Sequence, residues 1–297
     1  MNNNWLILDC PFLCHRAFWA VGESGLSSGG QPTSVIYAFL RELVALQEMF
    51  DAPRVIFCWD VGESNRKKVY PEYKAGRRKP PKNATPEEIT EAERARTEFN
   101  AQVKRLRREI IPQLGYANNF AEKGIEADDW IAAAVDTMTG TSRFRIHHNT
   151  IISSDHDLFQ CLCPSTQLYS PNGNKLWTYL KFRKEYGVNE SHWAFVKAIA
   201  GCSSDNIKGV AGVGEKTAIR YIREELPETH KSYKAIKEDS ENIGKRLIEL
   251  TRLPCRGLFQ QPIKISKSLP EKDRWNEVMN NLEMKSLIGK GPYLGRR

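Results

Sequence analysis

The chain has 297 residues, of which 40% are hydrophobic and 10% aromatic, and it carries a formal net charge of +8 with a pI near 9.1. That is enough chain for a sizeable core, in one large domain or two intimate ones, and no stretch reads as a membrane span or a signal peptide. The seven cysteines are odd in number and lack zinc-site spacing, so neither a disulfide framework nor a zinc ribbon is expected, and a reducing cytoplasmic setting follows.

In chain order, Trp5-Leu6-Ile7-Leu8 reads as a buried strand with Asp9 directly after it. Gly22 to Thr33 is a Gly/Ser-rich loop. A helix is expected from Ser34 to about Phe50, with Val35, Phe39, Leu43 and Leu46 on one face. Arg54 to Trp59 is a second buried strand, closed by Asp60. Strand, helix, strand suggests a parallel pair with a crossover helix.

Between Val61 and Lys82 stand eight basic residues and two acidic ones, so this window holds most of the net excess. A basic excess points to a polyanionic partner. From Pro86 to Ile111 a charged helix shows Phe99, Val103, Leu106 and Ile110 at helical spacing. Tyr116 to Glu122 is a candidate short strand. Glu126, Asp128 and Asp129 open the next helix, where the macrodipole favours acids. Asn149 to Ser153 is a strand followed by Asp155 and Asp157, and Gln167 to Tyr169 is another. Beyond about Lys181 the pattern turns helical, with helices at His192–Ala200 and Lys216–Glu225 around a glycine-rich turn. The tail from about Pro254 has no legible elements.

Three expected strands thus end in aspartate: Asp9, Asp60 and Asp155. In an open α/β sheet, ligands bind outside the carboxyl ends of parallel strands. Turns favour Asp on their own account, but three such ends together with the Glu126 cluster exceed what turns explain. Crowded carboxylates repel unless a cation lies between them. Carboxylate cages suit Mg²⁺ or Mn²⁺, and two such ions about 3.5–4 Å apart are the usual phosphodiester-cleaving arrangement. The second signal is Gly209-Val210-Ala211-Gly212-Val213-Gly214-Glu215-Lys216-Thr217-Ala218. Gly212 and Gly214 allow a tight backbone approach, the helix start offers free N–H groups, and Lys216 adds charge. This resembles the hairpin of a helix-hairpin-helix DNA-binding element, which grips phosphates without reading sequence.

With these motifs in view the chain resembles the bacterial and phage 5′→3′ exonuclease/flap endonuclease family, which includes the nuclease domain of bacterial DNA polymerase I. The resemblance covers most of the first 220 residues. It rests on Leu6-Ile7-Leu8-Asp9 with Arg16-Ala17-Phe18, on Gln31-Pro32-Thr33, and on Tyr70-Pro71-Glu72-Tyr73-Lys74-Ala75-Gly76-Arg77. Gly124 to Asp129, Ser154 to Gln160, and Ser204 to Lys216 complete it.

The resemblance implies an α/β fold with a PIN-like, mostly parallel central sheet, a helical arch and a helix-hairpin-helix subdomain. The expected division is a catalytic domain over 1–180, with the arch at about 79–112, and a helical DNA-binding region with the tail over 181–297. It implies a two-metal nuclease acting on 5′ ends and flapped or branched DNA, using Mg²⁺ or Mn²⁺, with K⁺ at the hairpin carbonyls, and working as a monomer. Asp9, Asp60, Glu126 and Asp128 would serve the first metal. Asp129, Asp155, Asp157 and Asp205 would serve or border the second. Lys74 and Arg77 would stabilise the scissile phosphate and Tyr70 would stack on a base. Arg16, Arg66, Tyr73, Arg105, Gly212, Gly214, Lys216 and Thr217 would contact DNA. One departure stands out: Cys202 occupies a position where the family carries a metal-binding aspartate. A PIN-type ribonuclease and a catalytically weak branched-DNA-binding protein are the competing readings.

Overall fold

The computed structural model describes residues 3–21, 24–75, 84–140, 148–259 and 261–295. Its centre is a six-stranded sheet of β1 (Trp5–Asp9), β2 (Arg54–Cys58), β3 (Asn119–Phe120), β4 (Asn149–Ile152), β5 (Thr166–Ser170) and β6 (Lys175–Trp177). In space the order is β3-β2-β1-β4-β5-β6. All neighbours run parallel except β6, which turns back against β5. The order reverses between β1 and β4, so a crevice opens beyond their carboxyl ends.

The central strands β1, β2 and β4 are buried almost throughout because helices cover both faces of the sheet. Side chains alternate across the pleat. Trp5 and Ile7 of β1 enter one core with Ile56, Ile151 and the helix Ala127–Gly140, whereas Leu6 and Leu8 enter the other with Phe57 and Ile152. The helices in chain order are α1 (Cys10–Val21), α2 (Ser34–Met49), α3 (Arg66–Val69), α4 (Pro86–Arg105), α5 (Ala127–Gly140), α6 (Tyr179–Tyr186), α7 (Trp193–Ala200), α8 (Glu215–Ile222), α9 (Lys231–Glu238), α10 (Ser240–Arg246) and α11 (Lys272–Asn281).

Helix α1 is the element that the sequence reading passed over. It buries Cys10, Leu13, Cys14 and Ala17, a helical spacing. The loop expected from Gly22 to Thr33 contains a small antiparallel pair, Ser27–Ser28 with Gln31–Pro32. Helix α4 starts with a capping box between Thr85 and Glu88 and with Pro86 in its first turn. Gln102 is its buried residue, and its Oε1 accepts from the Val35 N–H at 2.9 Å, which ties the helix to the start of α2. A π-helical turn, Leu106–Ile110, then carries it into the core. The stretch 79–83 of the expected arch lies outside the described residues.

The tail does not stay with the helical region of 181–297. Trp275, Val278 and Met279 of α11 are buried against Leu6, Phe39 and Trp59 of the N-terminal half. Among the described residues no helix is long and apolar enough to cross a membrane.

Candidate metal centre and nucleic-acid interface

Asp9 ends β1 and does two jobs. Its Oδ1 accepts from the Phe12 N–H at 3.1 Å, as an N-cap of α1 does, and its Oδ2 accepts from the Ser153 hydroxyl at 2.6 Å. Ser153 follows β4, so these bonds lock the ends of the two strands at the order reversal. Asp60 follows β2, and its Oδ1 accepts from the Ala127 N–H at 2.6 Å, at the start of α5. Asp155 caps the short turn after β4 through the Asp157 N–H at 2.8 Å.

The electrostatics show that these acids crowd one rim. Burial pushes the Asp9 carboxyl up to about 7, and the Asp60 and Asp155 carboxylates add to the rise. Burial, followed by Asp155 and Asp9, drives the Asp128 carboxyl well above the usual range. Burial and Asp155 likewise raise Asp157. Carboxylates that raise one another in this way suit a hard divalent cation between them.

Glu126 is held differently. Its Oε2 accepts from Arg66 Nη1 at 2.7 Å, the Ser64 hydroxyl at 3.0 Å and the Tyr73 hydroxyl at 3.0 Å, while Lys74 Nζ sits on Oε1. Burial alone would raise its carboxyl, but Lys74 and Arg66 outweigh burial and hold it below the ordinary value. A cavity of about 220 Å³ opens beside Asp60, Tyr73, Lys74 and Glu126.

The turn bearing Lys74 is stitched to the turn bearing Asp205. The Lys74 N–H donates to the Asp205 carbonyl at 2.8 Å, Asn206 Nδ2 donates to the Glu72 carbonyl at 2.8 Å, and the Tyr70 hydroxyl donates to the Asn206 carbonyl at 3.2 Å. Lys74 and Asn206 both take left-handed backbone, with φ of 54° and 59°. The Tyr73 hydroxyl also lies 3.2 Å from Asp205 Oδ2, so one phenol spans Glu126 and Asp205.

At the far end of the rim, donor atoms of Asp157, Cys202 and Asp205 lie within 4.8 Å of one another. Among the described residues this is the tightest gathering of metal-type donors. Lys197 of α7 reaches Asp157 Oδ1 at 3.1 Å and Glu215 at 3.7 Å, with its ammonium over the Trp193 ring. The sequence reading missed Lys197. A lone lysine in an apolar helix, one turn after Trp193, was the available signal.

Three of the expected site residues are engaged inside the fold. Asp129 does not face the rim: it is fully buried, bonded to both Arg66 Nη atoms at 2.6 and 2.8 Å and to the Cys255 N–H at 2.8 Å. Arg66, expected at DNA, is 4% exposed and spends its guanidinium on Asp129, Glu126 and the Leu250 carbonyl. Tyr73, also expected at DNA, is 3% exposed beneath the Lys74 turn. Of the remaining residues, Arg16 pairs with Glu42 at 3.0 Å on the α1–α2 face, and Arg105 is half-buried 3.9 Å from Glu109. Arg77 lies outside the described residues. Gly212, Gly214 and Lys216 are exposed and Thr217 half-buried at the start of α8. The hairpin before α8 depends on Gly201 and Gly209, whose backbones cross so closely that a Cβ on Gly209 would lie 2.2 Å from the Ala200 carbonyl carbon.

The family described as 5′-3′ exonuclease, N-terminal resolvase-like domain, matches residues 4–187. The chain belongs to the 5′-3′ exonuclease family. As a member it is a nuclease. It is 35% identical over 234 residues to a 5′-3′ exonuclease of Bacillus subtilis, covering 75% of this chain and 71% of that one. To the thermostable DNA polymerase I of Thermus thermophilus it is 34% identical over 224 residues, 74% of this chain but 24% of that protein, so it spans about a quarter of the polymerase. The fold is shared with the T5 D15 protein co-crystallised with metal ions, at 22% identity and a TM-score of 0.66, covering 97% of this chain and 100% of the other. It is also shared with the T5 flap endonuclease in a complex with DNA and metal ions, at 22% identity and a TM-score of 0.68, covering 97% and 98%. The mostly parallel sheet with flanking helices is therefore the exonuclease fold, as the resemblance implied.

Proposed function

We propose that this exonuclease-family chain is a structure-specific 5′ nuclease that hydrolyses phosphodiester bonds near 5′ ends and at junctions of flapped or branched DNA. The observation that carries the reading is the crowded rim of Asp9, Asp60, Asp128 and Asp155 beside Lys74, at the sheet's order reversal. The all-oxygen donors of that rim fit Mg²⁺ or Mn²⁺, with Glu126 completing the set when Lys74 swings off it. Two divalent ions bound there would supply a deprotonated water and stabilise the leaving oxygen. Asp155, Asp157 and Asp205 would hold the second.

The side chains of the protein do the rest. Lys74 and Arg77 offset charge building on the phosphoryl oxygens. Tyr70, half-buried against Asn206, offers a ring face to a base beside the cleavage point. The start of α8, with Gly212, Gly214, Lys216 and Thr217, grips the phosphates of the duplex, with K⁺ at the Ser203–Val213 carbonyls. Residues 1–180 act as the catalytic domain, with α11 of the tail packed against it, and the rest of 181–297 as the helical DNA-binding region. The setting is the cytoplasm of a bacterial cell, with a bacterial or a phage gene as the source, and the working form is a monomer.

A labelled 5′-flap duplex with Mg²⁺ tests this. Cleavage near the junction is expected, and Asp155→Asn should abolish it while sparing binding. Binding without any cleavage would replace the proposal with a branched-DNA-binding protein, the reading that Cys202 favours. Cutting confined to RNA flaps would replace it with a ribonuclease.

A further inference from the structure

At the Cys202 end of the rim the donors do not match those at the Asp9 end. Asp157 and Asp205 bring carboxylate oxygens, and Cys202 brings sulfur, all within 4.8 Å of one another. The three residues come from separate elements. Asp157 stands in the turn after β4, Cys202 in the short strand Gly201–Cys202, and Asp205 in the turn that follows it. The antiparallel pairing of Cys202 with Ile207, and the Lys74 N–H on the Asp205 carbonyl, hold Cys202 and Asp205 in place. The cluster already attracts a cation, since the Lys197 ammonium lies 3.1 Å from Asp157 Oδ1.

Mg²⁺ demands oxygen ligands and near-octahedral geometry, and a thiolate is a poor ligand for it. Zn²⁺, Co²⁺ and Cd²⁺ accept a mixed sulfur and oxygen set. Zinc sites with three protein ligands leave a fourth position for water or a phosphate oxygen, with Zn–S near 2.3 Å and Zn–O about 2.0–2.2 Å. Small side-chain movements close the present spread onto one such ion.

We infer that Asp157, Cys202 and Asp205 form a thiolate–carboxylate site that selects a borderline or soft divalent ion, Zn²⁺ above all, over Mg²⁺. Metal binding breaks the Cys202 S–H bond, forms one metal–sulfur bond, and releases the proton to solvent. The ion displaces Lys197 from Asp157. The two ends of the rim would therefore take different metals, a hard ion between Asp9, Asp60 and Asp128 and a thiophilic one at Cys202. This deepens the nuclease reading, on which the position of the rim rests.

The test is a titration of the purified full chain with Co²⁺ or Cd²⁺, followed by thiolate-to-metal charge-transfer absorbance, with Zn²⁺ as competitor. One equivalent of charge-transfer signal is expected, and Zn²⁺ should erase it while excess Mg²⁺ does not. Cys202→Ser should abolish the signal, and Cys202→Asp should abolish it and tighten Mg²⁺ binding by tenfold or more. Asp157→Asn and Asp205→Asn, which keep the thiol, should each weaken Co²⁺ binding at least tenfold. Absence of the band, its persistence in Cys202→Ser, or indifference to Asp157→Asn and Asp205→Asn would each overturn the site. A chain with the band that cuts no flap loses the nuclease reading and keeps the site; a chain that cuts flaps without the band does the reverse.

Discussion

The two ends of the acid rim are built on opposite plans. At one end Glu126 is saturated by protein donors, Arg66, Ser64, Tyr73 and Lys74, and Arg66 is itself anchored behind the rim on the buried Asp129. At the other end Asp157 leans on Lys197, and Cys202 replaces a carboxylate. A buried carboxylate needs a partner charge or several donors. The first end supplies them from the fold, and the second leaves more of that task to a bound cation. Tyr73 joins the ends, since its hydroxyl lies within bonding distance of Glu126 and Asp205. The two ends therefore differ in scaffolding as well as in donor type.

The largest effect should come from taking a charge from the Asp9 end. Asp128→Asn should lower flap cleavage about 10³-fold or more, because the several kcal/mol contributed by a correctly held metal are lost. Asp157→Asn, at the end already altered by a thiol, should cost roughly tenfold less. Single-turnover cleavage at saturating enzyme compares the two. Equal losses would erase the distinction between the ends.

Next is the scaffold. Arg66→Met leaves the Asp129 carboxylate buried without its bidentate partner and should destabilise the fold by about 3–5 kcal/mol. Arg66→Lys should recover only part of that, because an ammonium cannot bond both Asp129 oxygens in a fork. Urea denaturation of the two variants measures this. A change below about 1 kcal/mol for Arg66→Met would show that Arg66 is dispensable to the fold.

These residues also show what could and could not be read from the sequence. The central strands were legible because a continuous apolar run ended by aspartate has few other readings. The rim was legible because its acids fall at strand ends. Helix α1 is masked in the sequence although Cys10, Leu13, Cys14 and Ala17 mark one face, because Asp9 both ends the strand and caps the helix, leaving no linker between them. Arg66 and Tyr73 were assigned to DNA because a linear motif does not say which side of a turn is buried. That is set by Asp129, 63 residues further on. The return of α11 was illegible for the same reason: the Ser28 hydroxyl bonds the Asn281 carbonyl across 253 residues.

Protons also separate the two ends. The Asp9 carboxyl sits near 7 in the folded chain and must be ionised to hold a metal. Below that value it is protonated and competes with the ion; above it the competition vanishes. Mn²⁺ affinity at this end should therefore be about tenfold weaker at pH 6 than at pH 8, as measured by calorimetry. Asp9→Asn should be weak at both pH values, with the slope gone. A wild-type affinity flat across that interval would mean that Asp9 takes no part in holding the ion.

The smallest effect concerns the lysine that the sequence did not flag. Lys197 lies on Asp157 in a pair that is 14% and 23% exposed by side chain, so water screens it partly and its energy should be modest. An incoming divalent ion must displace that ammonium, and the energy of the pair is subtracted from metal binding. Lys197→Met retains an unbranched chain to pack over Trp193 and removes the competitor. Co²⁺ affinity at the Cys202 end should then rise two- to fivefold, the equivalent of about 0.4–1 kcal/mol. Affinity at the Asp9 end should stay unchanged, because Lys74, not Lys197, is the cation there. A fall in Co²⁺ affinity would assign Lys197 the opposite role, a brace that holds Asp157 toward the ion rather than a charge that must first be moved aside.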